Sequence, residues 1–269
     1  MVPTRQDGPP DPRPAGGSHV RHVALRHSGA VDIMEPTRVA RELVEAWYPD
    51  AVAALLCGSV VTSRRTPYSD LDIVVMFADE REPSRSSLRF GTWPVELFVH
   101  TGASWRWFVE REIPQRKSSL LSMCAHGVVL VDRDGTGTRL RDEARQLLTA
   151  GPPEAAPAEI ENQRYVLTDL LDDLAGCSTA GERLFIVTEI AGRAAEFVLL
   201  RTGSWLGGGK WTARRVDEVW PGFSGELEGL VREALEGRDA GLVALVDEVL
   251  APSGGRLWEG YRRSGYPGS

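Results

Sequence analysis

Two short apolar runs joined by a polar connection constrain this chain more than any other feature. Leu55-Leu56-Cys57 ends in Gly58-Ser59, and ten residues later Ser69-Asp70-Leu71-Asp72 leads into Ile73-Val74-Val75-Met76. Both runs read as strands, the second rich in β-branched residues. Side chains alternate faces along a strand, so Asp70 and Asp72 share one side while Leu71 and Ile73 enter the opposite layer. Two carboxylates at the edge of an apolar core are costly unless something cationic meets them. A divalent metal is therefore expected at Asp70 and Asp72. Gly58 lets backbone approach a ligand closely, and the Ser59 hydroxyl with free amides at a following helix start suits phosphate oxygens. Carboxylates for a metal beside donors for phosphate describe a nucleotide site.

A third acid joins them. Val95-Glu96-Leu97-Phe98-Val99 reads as a strand, and the preceding Gly91-Thr92-Trp93-Pro94 predicts a turn that makes a hairpin with Leu88-Arg89-Phe90. By itself, a lone Glu on a strand more often points to water. Following the Asp-x-Asp strand, Glu96 becomes the third expected metal ligand.

These residues carry a family resemblance. Gly58-Ser59, Asp70-x-Asp72 and Glu96 on a later strand resemble the signature of the polymerase-β-type nucleotidyltransferase superfamily. The chain is most similar within it to kanamycin-type aminoglycoside nucleotidyltransferases. Pro67-Tyr68-Ser69-Asp70, Gly91-Thr92-Trp93-Pro94-Val95-Glu96 and Leu174-Ala175-Gly176 stand where similar strings occur in that family. The resemblance covers roughly residue 36 to the C-terminus, specific in the first half and loose in the second. It implies a Mg²⁺-dependent transfer of AMP from ATP, with two metal ions on Asp70, Asp72 and Glu96. Gly58, Ser59 and Ser69 would contact the nucleotide. It also implies a carboxylate base at the position of Asp173, with Asp169 and Asp172 as alternatives, and a homodimer in which two subunits build each site. The chain departs from the family in having Asp rather than Glu at 173, and Cys177 where a Lys is expected.

At 269 residues the chain is long for one domain and comfortable for two. A formal charge of −7 leaves no basic excess to displace phosphate counterions, so neither a nucleic-acid nor an anionic-membrane partner is expected. A small, hydroxylated, cationic acceptor suits an acidic protein better. Cys57, Cys124 and Cys177 are far apart, without metal-ligand spacing, and Cys57 reads as a small buried hydrophobe. No apolar run approaches the ~20 residues of a membrane span, and no signal-peptide core is evident. These features predict a cytoplasmic protein.

Along the chain, residues 1–34 read as a disordered tail, rich in Pro, Gly, Arg and His. His19, His22 and His27 belong to it as solvated residues rather than a metal tract, and Met34 is an alternative start. A nucleotidyltransferase domain is expected over 35–150. It opens with a helix carrying Val39, Leu43, Val44 and Trp47 on one face, with Pro36 in its first turn. Arg64 and Arg65 in the polar connection are candidates to neutralise triphosphate. Short helices over 105–111 and 117–126, a strand over 128–131 and a helix over 138–148 complete this domain. The Pro- and Ala-rich stretch at 150–157 is a linker.

Beyond it, an all-α bundle is expected over 158–269. Its first helix gathers Asn162, Tyr165, Asp169, Asp172 and Asp173 on a face that is either solvated surface or a cleft wall offering the base. The helix over 182–201 is apolar except for a stripe of Glu189, Gly192, Arg193 and Glu196, read equally as an internal Glu189–Arg193 pair or a substrate-facing wall. Gly207-Gly208-Gly209-Lys210 imitates a P-loop but lacks its first Gly and its Ser/Thr. Lys210, one of only two lysines, remains a candidate phosphate or cofactor contact. Further helices are predicted over 213–220, 224–235, 240–250 and 256–263. The resulting fold class is α+β: a mixed-sheet domain followed by a helical bundle. Two readings compete with a small-molecule enzyme: a protein-modifying adenylyltransferase and a non-catalytic nucleotide-binding module.

Overall fold

A computed structural model describes residues 34–263. The expectations for the preceding segment, including His19, His22 and His27, fall outside them. The chain forms two compact units: one takes residues up to Glu110 together with Ser119–Thr149, the other takes Arg111–Ser118 and residues from Ala150 onward. The short segment Arg111–Ser118 thus clusters with the helical unit although it sits inside the 35–150 stretch.

In the first unit, α1 (Met34–Trp47) precedes β1 (Ala53–Cys57), β2 (Leu71–Phe77), β3 (Ser84–Phe90), β4 (Trp93–Thr101), α2 (Gly102–Glu112), α3 (Ser119–His126), β5 (Val128–Asp132) and α4 (Thr136–Ala150). The strands order as β3-β4-β2-β1-β5. β2 and β4 run parallel and every other neighbouring pair is antiparallel, so the sheet is mixed as expected. The hairpin forms, with only Gly91-Thr92 as its connection, because Gly91 adopts a left-handed φ of 60° and Trp93 already pairs with Phe90. Pro94, which has no N–H to donate, lies opposite Arg89.

The period-2 alternation decides which layer each side chain enters. Leu56, Ile73, Val75 and Leu97 join Val39, Ala40, Leu43 and Val44 of α1 in one fully apolar core. The opposite face carries Leu55, Cys57, Val74 and Met76, all buried. There Gly127 runs so close that a Cβ would sit 3.1 Å from Cys57 Sγ and 3.2 Å from Leu55 Cβ.

The second unit is all-helical: α5 (Pro157–Gly176), α6 (Ala180–Arg201), α7 (Lys210–Val219), α8 (Phe223–Leu235) and α9 (Ala240–Leu250). α6 is its centre, touching α5, α7, α8 and α9. Leu167, Leu171, Ile190, Phe197, Val198, Phe223, Leu245 and Val246 are among its core residues. Arg116, held in a left-handed conformation at φ 54°, anchors the short segment into this unit. Its guanidinium donates to Glu159 Oε1 at 2.9 Å and Oε2 at 2.8 Å, and to the carbonyls of Pro153 and Glu154.

One predicted helix is absent. Residues 256–263 form an irregular strap, not a helix. Gly254 and Gly255, at φ 100° and 74°, turn the chain out of helical geometry, and α5 then captures it. Arg164 donates to the carbonyls of Gly254 and Gly255, Thr168 Oγ1 accepts from the Leu257 amide, and Tyr165 stacks on Trp258 and Tyr261. A local helical period in this segment loses to contacts with a residue about ninety positions earlier.

Candidate active site

The edge where β2 and β4 begin is where the chemistry gathers. β2 starts at Leu71, with Asp70 just before it and Asp72 one pleat on, so both carboxylates project to the same face. The parallel register places Glu96 directly beside Asp72, and the antiparallel one places Cys57 on its other side. One carboxylate oxygen from each of Asp70, Asp72 and Glu96 lies within 4.8 Å of the others, and all three residues are half-buried. At that spacing and an effective dielectric near 20, each pair of charges repels by about 3 kcal/mol. A hard divalent cation with ligand distances of about 2.0–2.6 Å bridges oxygens up to roughly 4–5 Å apart, and oxygen ligands are its preferred donors. The three acids are therefore compatible with a hard divalent cation.

Gly58 is what makes the corner possible. It adopts φ 80°, ψ −163°, a conformation nearly confined to glycine. A Cβ there would stand 2.0 Å from Asp72 Oδ2, so the missing side chain leaves the space that the carboxylate fills. The element after it is a single 3-10 turn, Ser59–Val61, rather than a longer helix. Ser59 is tied in place: its Oγ lies 2.9 Å from Ser69 Oγ, and its carbonyl accepts from Thr62 Oγ1 at 2.8 Å. Ser69 is buried, and its hydroxyl also accepts from the Thr66 amide at 3.0 Å. The two serines thereby fix the loop that joins the Gly58 corner to Asp70.

Two residues beside the acids escaped the sequence reading. Arg85 donates to Glu96 Oε2 at 2.7 Å, and the Ser87 hydroxyl reaches Glu96 Oε1 at 3.4 Å. The register explains both, since Ser87 lies opposite Glu96 and Arg85 stands one pleat away on the same face. The signal was the alternation Arg85-x-Ser87-x-Arg89, hidden because only Leu88 to Phe90 was read as strand. Of the two loop arginines, Arg65 lies over the Trp93 ring and 3.9 Å from Glu35, whereas Arg64 is exposed. The buried Cys57 thiol is pushed well up by desolvation, then by Cys124 and by Asp72, so it stays protonated beside the acids.

Asp173 and Lys210 belong to the helical unit. Asp173 is exposed near the end of α5, as is Asp172, while Asp169 is half-buried. Lys210 is exposed at the first position of α7, following Gly209 at φ 52°. On α6, Arg193 Nε donates to Glu189 Oε1 at 2.7 Å, the internal pair that one of the two readings expected. Among the described residues no helix is long and apolar enough to cross a membrane.

No protein-family model matches the chain, and no curated protein matches it. Among solved structures it is similar to a nucleotidyltransferase-like protein from Exiguobacterium sibiricum 255-15, with 15% identity and a TM-score of 0.43. That likeness covers 81% of this chain and 75% of the other.

Proposed function

We propose that this protein is a Mg²⁺-dependent nucleotidyltransferase that moves AMP from ATP to a hydroxyl of a small molecule. The single observation that supports the reading is the convergence of Asp70, Asp72 and Glu96 beside the Gly58 corner. Three acids held within 4.8 Å at the edge of an apolar core repel one another; Arg85 offsets part of that charge at Glu96, and a bound cation would offset more. When bound, a divalent metal would be held by Asp70, Asp72 and Glu96 and would supply charge neutralisation for the triphosphate and the reacting oxygens.

The residues divide the remaining work. Asp70, Asp72 and Glu96 present the oxygens. Gly58 is the proposed backbone contact for a phosphate beside Asp72, and Ser59 is the hydroxyl offered to phosphate oxygens, with Ser69 holding it. The acceptor hydroxyl gives its proton to a carboxylate, its oxygen bonds to the α-phosphorus, and the bond to the bridging oxygen breaks to release pyrophosphate. Such transfer depends mostly on positioning and on balancing charge. Asp173 is the proposed base, with Asp169 and Asp172 as its neighbours on the same helix, and Lys210 is a proposed phosphate contact. Aminoglycoside-like antibiotics are the proposed acceptor class, supported by the family resemblance of the 67–70 and 91–96 strings. A homodimer in the cytoplasm completes this reading.

The test is incubation of the protein with α-labelled ATP, Mg²⁺ and an aminoglycoside panel. A soluble labelled product supports the proposal. Label on protein indicates a protein-modifying adenylyltransferase instead, and no label at all with intact ATP binding indicates a non-catalytic nucleotide-binding module.

A further inference from the structure

Glu96 already holds a cation that the chain itself supplies. Arg85 Nη2 donates to its Oε2 at 2.7 Å, and the same guanidinium lies 5.1 Å from the centroid of the Phe98 ring. The register accounts for both contacts. Phe98 stands directly across from Arg85, while Glu96 is its diagonal neighbour, a separation that a long side chain spans.

The pair is unequal. The Arg85 side chain is 65% exposed and that of Glu96 only 26%. An ion pair with so open a partner contributes little, because water screens it and a long side chain must be held still. A divalent ion on Asp70, Asp72 and Glu96 brings twice the charge to the carboxylate at shorter range. It also stands beside the guanidinium, and like charges repel. Arg85 is then left at the rim of the cluster with its donors free. Phosphate oxygens sharing that metal are the acceptors within its reach, and the planar fork of arginine matches phosphate geometry.

We infer that Arg85 serves two partners in turn. It neutralises Glu96 before a divalent ion arrives, and it turns to the nucleotide's phosphates once the ion takes the carboxylate. This inference rests on the nucleotidyl-transfer reading and adds to it a coupling between metal and nucleotide. Its signature is a pair of effects of opposite sign. An arginine that only competed for Glu96 would, when removed, strengthen metal and nucleotide binding together. One that only held Glu96 in place would weaken both.

The experiment titrates the full chain with Mn²⁺ alone, followed by electron paramagnetic resonance, and with α,β-methylene-ATP at saturating Mg²⁺, followed by calorimetry. Arg85→Ala is expected to bind Mn²⁺ two- to fivefold tighter and the nucleotide at least tenfold weaker. Arg85→Lys keeps the charge and loses the fork. It is expected to hold Mn²⁺ within twofold of wild type and to bind nucleotide at least threefold weaker. Arg106→Ala removes a cation paired with Glu143 elsewhere in the same unit. It is expected to leave both affinities within twofold, which excludes a general effect of net charge. Shifts of the same sign in Arg85→Ala, an unchanged nucleotide affinity, or equal shifts in Arg106→Ala overturn the inference while the transferase reading stands. A wild-type chain that binds neither Mn²⁺ nor the Mg²⁺–nucleotide overturns both.

Discussion

Replacing Gly58 with alanine tests the corner on which the acidic site is built. The added Cβ meets Asp72 Oδ2 at 2.0 Å, Cγ at 3.0 Å and Cβ at 3.3 Å. Ordinary contact begins near 3.4 Å, so the carboxylate oxygen must retreat by about 1.4 Å, the difference between those distances. The backbone adds its own cost, because φ 80° with ψ −163° is nearly closed to an L side chain, at about 1–3 kcal/mol. Overpacking of a tight site costs a further ~1–3 kcal/mol, part of which rotation of Asp72 relieves. A total of about 2–4 kcal/mol follows, and a melting temperature lower by roughly 5–15 °C. Because the relief comes from moving a metal ligand, Mn²⁺ affinity should fall at least tenfold in protein that remains folded at 20 °C. Differential scanning calorimetry and Mn²⁺ titration followed by electron paramagnetic resonance supply both numbers. A double-mutant cycle with Asp72→Ala isolates the clash: removing the carboxylate should recover about 1–2 kcal/mol of the penalty. A Gly58→Ala variant with wild-type melting and Mn²⁺ affinity would refute the reasoning.

Asp72→Asn keeps the shape and removes the charge, so nucleotidyl transfer should fall below detection while the circular dichroism spectrum stays that of the folded protein and the metal-free melting temperature rises, because Asn no longer repels Asp70 and Glu96. Asp173→Asn should lower kcat far more than it weakens ATP binding, measured by steady-state kinetics and equilibrium titration; an unchanged kcat moves the base elsewhere. Arg85→Ala removes a guanidinium that competes for Glu96, so Mn²⁺ affinity should rise severalfold in titration at low salt, and a loss of affinity would show that Arg85 organises the site instead. Glu159 is held below the ordinary carboxylate range by Arg116 first and then by the Ala156 amide. A depressed folded-state pKa means stability that is fully present above the unfolded value near 4.5 and is lost as pH falls through the folded one. Glu159→Gln should therefore cost about 1–2 kcal/mol at pH 7, less than a fully buried pair because Glu159 is 46% exposed. The difference from wild type should shrink on acid titration below pH 4.5, followed by urea unfolding.

The alternation over 70–76 was enough to place Asp70 and Asp72 on one face, because a strand's period of two is a local property. Likewise the 3.6-residue spacing of Val39, Leu43, Val44 and Trp47 located α1, since one helix face needs no knowledge of its partner. The parallel register that sets Asp72 beside Glu96 was not readable, as it depends on which strand the β3–β4 hairpin adds to. Arg85 on Glu96 depends on that same pairing. The strap over 256–263 shows the limit from the other side: its local period suggested a helix, and Arg164, Tyr165 and Thr168 of α5 hold it in an irregular path. Glu196 looked like one member of a polar stripe. The i,i+4 spacing already offered Arg193 to Glu189, and packing adds that Glu196 stands at the wall of a cavity. Sequence by itself determined what repeats over a few residues, and tertiary structure decided who meets whom across the chain, where the free energy of a contact depends on residues tens of positions apart.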